Sequence, residues 1–358
     1  MIDGSLTLFC ETADLIEEQI RDFGSLQPCG FDSVNGYNIL LNIYAMHTVV
    51  TDDPTEAAEF IKKGGTCAFP TETVYGLGAN AFDTMAIAKI FEAKRRPTDN
   101  PLIAHIFDAN QIGELASEIT PIARKLIDSF FPGPLTIVLP KTPAVPMIAT
   151  VGLATIGIRM PGFPLAHQFL ELCGVPVVAP SANISGRPSP TTWQAVYDDL
   201  NDRIDCILRG ESTEIGLEST VVDCTGSVPI LLRAGAISLG DLRHVVRETI
   251  PYAGSGSGPA RSPGLKHRHY SPRAKVQLVD HGIPVNGGNA NAFIGLGAAP
   301  GSFAITRICS SVDDYARSVF AFFRECDAKN IEVIYCETVP EAGIGAALMD
   351  RLKRASAE

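Results

Sequence analysis

From Thr66 to Gly235 the chain repeats one pattern. A short apolar run ends in a cluster of hydroxyls, amides or cations, and amphipathic helices separate many of the runs. Alternation of this kind builds an open α/β sheet. Polar clusters just past the strands fall where such sheets hold their ligands. Strands are expected over 47–51, 66–69, 102–107, 135–140, 155–160, 175–179, 204–208, 218–223 and 229–232. Asp53-Pro54 opens a helix that Gly64-Gly65 closes, with Asp as cap and Pro in the first turn. A second helix spans 83–93, where Ala86, Ile87, Ile90 and Phe91 share one face. Others open at Thr120-Pro121, run from Pro164 to Cys173, and follow Thr191.

The clusters differ in chemistry. Lys94-Arg-Arg-Pro-Thr-Asp-Asn-Pro101 delivers three cations at a helix end. Cations there suit the helix dipole, and a Lys point charge near an Arg fork also suits phosphate oxygens. Pro70-Thr-Glu-Thr-Val-Tyr-Gly-Leu-Gly78 offers hydroxyls and small residues, as either a Gly turn or a pocket for an amino acid. Arg159 ends an apolar strand and needs an anionic partner if buried, either a structural or a ligand carboxylate. Pro180-Ser-Ala-Asn-Ile-Ser-Gly186 can donate to phosphate or form an Asx-type turn. Gly216-Leu-Glu-Ser-Thr-Val-Val-Asp223 places hydroxyls at a strand start, and Leu232-Arg-Ala-Gly235 is another strand-end cation.

Several classes are excluded. The chain lacks G-x-x-x-x-G-K-[ST], a G-x-G-x-x-G after its first strand, and a G-x-S-x-G elbow. Nine cysteines (10, 29, 67, 173, 206, 224, 309, 326 and 336) are odd in number and scattered without C-x-x-C, which argues for inert core thiols over disulfides or zinc. His267-Arg-His269 has no third ligand nearby, so no metal site is expected. No apolar run reaches membrane-spanning length, and a cytoplasmic protein is expected.

The net charge of −11 opposes general nucleic-acid binding. Yet residues 1–45 hold seven acids and one base, and Pro259–Lys275 holds Arg261, Lys266, Arg268, Arg273 and Lys275 without an acid. A local anion site is therefore compatible with the acidic total. The expected division is an extension at 1–45, a catalytic α/β domain at 46–252, a linker or lid at 253–275 opened by Gly/Ser-rich 252–259, and a small α/β domain at 276–358. In the last, strands are expected near 276–279, 292–296, 303–306 and 331–335, with helices at 312–326 and from Pro340.

Taken together, P-T-E-T-V-Y-G-L-G (70–78), K-R-R-P-x-D-N-P-L (94–102), F-P-G-P-L-T (131–136), G-I-R-M-P (157–161), P-S-A-N-x-S-G (180–186), G-L-E-S-T-V-V-D (216–223) and L-R-A-G (232–235) resemble the YrdC-type threonylcarbamoyl-AMP synthases. S-P-G-L-K-H-R-H-Y-S-P (262–272) resembles the linker of their long, two-domain form. Residues 1–45 match nothing in that pattern. The resemblance implies a YrdC-like twisted mixed sheet with flanking helices, then a linker and a smaller Rossmann-like domain. It implies that L-threonine, bicarbonate and ATP, with Mg2+, give threonylcarbamoyl-AMP and pyrophosphate. The product would pass to the tRNA threonylcarbamoyl transferase machinery, with a weak tRNA contact at most.

By matching positions, the resemblance assigns threonine contacts to Thr73, His105, Arg159, Ser219 and the backbone of Ala179. It assigns nucleotide phosphates to Lys94, Arg96 and Asn100, and phosphate or Mg2+ to Ser181 and Asn183. Thr155, Ser189 and Arg233 would lie near the nucleotide, and Tyr270 would fold over the adenylate. Two other readings stand beside it. One is an RNA-binding module built on the cations of 94–96 and 259–275, against which neither an RNP aromatic signature nor a KH-type G-x-x-G is present. The other is carbamoyl transfer as in hydrogenase-maturation proteins, whose acylphosphatase and zinc-finger segments this chain lacks.

Overall fold

The structure is a computed structural model that describes residues 47–98, 100–253, 270–285 and 287–357. The expected extension at 1–45, most of the lid with its basic strip, and His267 and His269 lie outside the described residues. The strands are β1 (Val49–Thr51), β2 (Cys67–Phe69), β3 (Gly76–Asn80), β4 (Ile103–His105), β5 (Leu135–Pro140), β6 (Thr155–Arg159), β7 (Val177–Ala179), β8 (Cys206–Leu208), β9 (Thr220–Asp223), β10 (Ile230–Arg233) and β11 (Ile250–Pro251). They form one mixed sheet in the order β1-β8-β2-β3-β7-β4-β6-β5-β9-β10-β11. Parallel pairs such as β4/β6 and β5/β9 alternate with antiparallel ones such as β4/β7 and β5/β6.

The helices are α1 (Pro54–Lys62), α2 (Thr84–Lys94), α3 (Ile112–Leu115), α4 (Pro121–Phe130), α5 (Met147–Thr150), α6 (Pro164–Cys173), α7 (Trp193–Leu200) and α8 (Leu239–Val245). Period-two alternation splits the strands between two cores. Ala68, Leu77, Val178 and Ala104 face one core, with Ile87 and Ile90 of α2 and Leu126 of α4. Cys67, Phe69, Val177 and Cys206 face the other, with Ile61 of α1 and Phe169 of α6. Each of the seven described cysteines is buried. Burial pushes the thiols of Cys173 and Cys224 up to about 12, so they are packing groups.

The differences from expectation have local causes. Gly76–Asn80 is a strand, although its Gly-rich sequence has little strand propensity. It pairs with β2 on one side and β7 on the other. A Cβ at Gly78 would lie 2.6 Å from Val177 Cγ1, so glycine there lets the strands close. Helices α3, α5 and α8 and strand β11 add to the expected elements. A capping box between Ser238 and Asp241 starts α8.

The C-terminal unit carries β12 (Lys275–Val279), β13 (Gly288–Gly295), β14 (Phe303–Ile308) and β15 (Val333–Glu337) with α9 (Val312–Ala328) and α10 (Ile344–Ser356). Its sheet runs β12-β15-β13-β14, with every pair parallel. The last helix starts at Ile344 rather than Pro340, since 340–343 form turns before it. Leu217 and Tyr270 are buried in this unit's hydrophobic core, among Tyr315, Phe320 and Leu348. Among the described residues, no helix is long and apolar enough to cross a membrane.

Candidate active site

Helix α2 ends where the site begins. Asp83 caps its start by accepting from Met85 N and Ala86 N. At its end Arg95 takes a left-handed conformation, φ 50°, which turns the chain away from the helix axis. Past that turn, Arg96 donates from Nε to Asn100 O (3.2 Å) and from Nη2 to Pro101 O (3.1 Å). The octet is thus folded onto itself, with both Arg96 and Asn100 at a cleft.

That cleft holds about 610 Å3 of empty space, part of it open to solvent. Its wall includes Thr71, Thr73, Arg96, Asn100, His105, Arg159, Ala179, Ser181, Glu218, Ser219, Arg233 and Tyr270. Ten of the residues named from the sequence therefore meet in one place, although they come from seven separated stretches of chain. An isolated bridge between Gly76 and Ser181 closes one side.

Arg159, at the end of β6, is buried at 4% exposure. Its Nη2 lies 2.7 Å from Glu72 Oε1, its Nη1 donates to Thr73 Oγ1 at 2.8 Å, and its Nε donates to Gly133 O at 3.3 Å. The open question of its partner resolves toward a structural carboxylate, with the guanidinium still at the cleft wall. His105, the last residue of the neighbouring strand β4, packs edge-on against Phe69 with its Nδ1 3.1 Å from Ile103 O. Burial, then the charge of Arg159, drops its pKa to about 3, so the ring is neutral. Ser219 Oγ lies 2.8 Å from Thr136 Oγ1 and accepts from Arg233 Nη2 at 3.2 Å. Arg233 Nε also donates to Ser219 O at 3.0 Å. Tyr270 stacks on Phe320 with ring centroids 5.5 Å apart.

Four of the expected residues stand behind the wall. Lys94 is 1% exposed, and its Nζ donates to Ser181 O and Asn183 O, each at 2.5 Å. Burial, with Arg96 nearby, pulls its pKa well below the usual ammonium range. It braces the Ser181–Asn183 loop from beneath rather than facing a phosphate, because the loop's carbonyls turn inward toward it. Asn183 Oδ1 accepts from Ser181 Oγ at 2.5 Å, while its Nδ2 donates to Ile184 O and Arg187 O. Ser189 is buried and donates to Glu218 Oε1 at 2.5 Å. Thr155 sits at the far end of β6, opposite Pro140 and outside the cleft lining.

Sequence reasoning assigned no role to Glu72, Glu218 or Arg351. The first two sit inside quoted motifs, and the test applied to Arg159 would have found them: a carboxylate in a buried segment demands a cation. Burial alone would raise the Glu218 carboxyl. The charges of Arg351 and Arg233 and the Ser189 hydroxyl outweigh that and hold it below its ordinary value. Among the described residues no group of three or more His, Cys, Asp or Glu could hold a metal.

A mixed sheet whose strand ends converge on a cleft of cations, hydroxyls and one neutral imidazole defines an α/β protein with a cleft whose chemistry suits an anion. Residues 59–235 match the Sua5/YciO/YrdC family model, described as telomere recombination, and residues 237–357 match the model of the threonylcarbamoyl-AMP synthase C-terminal domain. The chain is 43% identical over 316 residues to the threonylcarbamoyl-AMP synthase of Pyrococcus abyssi, covering 84% of this chain and 93% of the relative. It is 38% identical over 326 residues to that of Bacillus subtilis, covering 86% and 94%. The crystal structure of P. abyssi Sua5 complexed with L-threonine superposes with a TM-score of 0.79 at 40% identity, over 87% of this chain and 97% of that one. The chain belongs to the threonylcarbamoyl-AMP synthase family, in its two-domain form.

Proposed function

We propose that the protein makes threonylcarbamoyl-AMP and pyrophosphate from L-threonine, bicarbonate (or CO2) and ATP. The threonine amine attacks the carbon of CO2 and loses a proton to give a carbamate; where bicarbonate is the carbon source, its oxygen leaves as water. A carbamate oxygen then attacks the α-phosphorus of ATP, and pyrophosphate leaves. Neither step needs a side-chain nucleophile, so the protein's work is positioning and charge stabilisation. The observation that carries this reading is the meeting of Arg159, Ser219, Arg96 and Arg233 on one cleft wall.

In this reading Arg159 and Thr73 hold the threonine carboxylate, with His105, Ser219 and the Ala179 backbone around the amino acid. Arg96, Asn100, Ser181 and Arg233 face the nucleotide. Lys94 and Asn183 act through the Ser181 loop, Ser189 acts through Glu218, and Tyr270 covers the adenylate. A cover has a clear use, because the mixed anhydride hydrolyses in water. Mg2+ fits this donor set only as an ion carried by the triphosphate, since the wall offers hydroxyl and amide oxygens and its one lining carboxylate is already paired with Arg351. Ser181 would supply its protein-side oxygen, with Asn183 Oδ1 orienting that hydroxyl, and bound there it would neutralise phosphate charge. The product would be handed to the enzymes that threonylcarbamoylate tRNA.

Purified protein given Mg2+, ATP, bicarbonate and threonine is expected to release pyrophosphate, and omission of threonine or bicarbonate is expected to stop it. Release that ignores threonine, or no release at all, would overturn the reading.

A further inference from the structure

None of the residues assigned so far comes from the C-terminal unit, yet that unit reaches the site. Arg351 of α10 is 1% exposed. Its Nε donates to Glu218 Oε2 at 2.8 Å, its Nη2 to Ala234 O at 3.0 Å, and its Nη1 to Asp350 Oδ2 at 2.7 Å. Its guanidinium carbon lies 5.3 Å from the centre of the Tyr270 ring. Glu218 and Tyr270 line the cleft, and Ala234 follows the cleft residue Arg233. A second tether lies farther along. Arg324 of α9 donates to both carboxylate oxygens of Asp199, at 3.2 and 2.9 Å, and to Pro188 O at 2.5 Å. Pro188 precedes Ser189, which holds the other oxygen of Glu218.

A carboxylate in the wall of a cleft that must accept a triphosphate is a liability. Left unpaired it would repel the phosphates, and buried it would also lack solvation. The planar fork of an arginine takes the carboxylate on one edge and a carbonyl on another in a fixed plane, a geometry that the point charge of a lysine does not fix. We propose that Arg351 is a positioning residue for the nucleotide: the C-terminal unit supplies the cation that neutralises Glu218 and fixes the Glu218–Ser219 and Arg233–Ala234 segments at the cleft. The inference rests on the reading of the cleft as an ATP site. It gives the second unit a part in catalysis that does not require it to touch substrate.

The test compares Arg351→Met, Arg351→Lys, Glu218→Gln with Arg351→Met, and Arg324→Met, by pyrophosphate release and by calorimetric titration with ATP. Arg351→Met is expected to raise the KM for ATP at least roughly tenfold, with circular dichroism unchanged. Adding Glu218→Gln is expected to recover part of that loss, because the offending charge is gone. Arg324→Met loosens the same interface away from the cleft and is expected to lower the melting temperature with a smaller change in KM. If Arg351→Met does not fold, Arg351→Lys still decides, with several-fold weaker ATP binding expected. Unchanged ATP binding in the folded arginine variants, or a double variant no better than Arg351→Met, would overturn the inference. Failure of the wild-type enzyme to release pyrophosphate would instead sink the proposed function, and the ATP titrations would still judge Arg351.

Discussion

Arg159 and Thr73 stand 86 positions apart in the chain and meet at 2.8 Å, guanidinium Nη1 to threonine hydroxyl. Glu72, the neighbour of Thr73, takes the second terminal nitrogen at 2.7 Å. The arginine is therefore both a wall of the cleft and one half of a buried ion pair. Arg159→Met should remove turnover with threonine and also destabilise the fold by about 3–5 kcal/mol, since Glu72 is left buried without its partner. Adding Glu72→Gln should return much of the stability and none of the activity. Denaturant unfolding and pyrophosphate assays on the single and double variants separate the two effects. Equal stability of the two variants would show that the pair is not a buried one.

His105 makes a pH prediction whose direction is set by its depressed pKa. The unfolded ring takes a proton near 6.5, while the folded ring takes one only near 3. Between those values the unfolded chain binds more protons, so stability falls as pH falls, by about 1.4 kcal/mol per unit from this group. Above 6.5 the contribution is flat. His105→Gln should flatten the acid side of a stability–pH curve between roughly pH 6 and 5, before carboxylates such as Glu218 begin to protonate. A mutant curve parallel to that of the wild type across this window would contradict the buried, neutral ring.

The sequence made the sheet readable wherever strands carried apolar residues and helices carried caps. Asp83, Thr120-Pro121 and Gly174 each mark a helix end that the structure places at the same point. Strand β3 escaped because Gly-Leu-Gly-Ala-Asn carries its information in what it omits: small residues suit close strand packing and a turn equally well. The site motifs were legible as a set, yet the depth of each side chain was not. Lys94 and Arg96 look alike in the octet, and only the left-handed turn at Arg95 sends one under the loop and the other to the cleft. Arg351 had no signal at all. Asp-Arg-Leu-Lys-Arg in a terminal amphipathic helix reads as a solvated face, and only docking against Glu218 makes it internal.

Lys94 gives a sharper test of the distinction between touching a ligand and holding the loop that does. Lys94→Met keeps most of the stem and removes the amine that donates to the carbonyls of Ser181 and Asn183. Two buried carbonyls lose their donor at once, each at a cost of about 1–3 kcal/mol. Turnover should fall tenfold or more while circular dichroism stays that of the wild type. Normal turnover would mean that the loop holds its shape without the brace.

Gly216 tests whether the two units must sit tightly together. Its φ of +78° already excludes most side chains, and an added Cβ would lie 2.5 Å from Arg317 Cα of α9. Its amide donates to Thr73 O at 3.1 Å, and Ile215 N donates to Glu72 O at 2.9 Å, so the same strip touches the cleft on its other side. Gly174 is the matching control. Its φ is +69°, and nothing lies within 4 Å of an added Cβ. Gly174→Ala should therefore cost only the left-handed strain, about 1 kcal/mol, and leave activity alone. Gly216→Ala pays that strain and also pushes α9 off its seat, so it should unfold at lower denaturant and raise the KM for ATP in the same direction as Arg351→Met. Measured side by side, equal losses in the two variants would mean that α9 can shift freely over residue 216, and that the cleft does not depend on where the second unit rests.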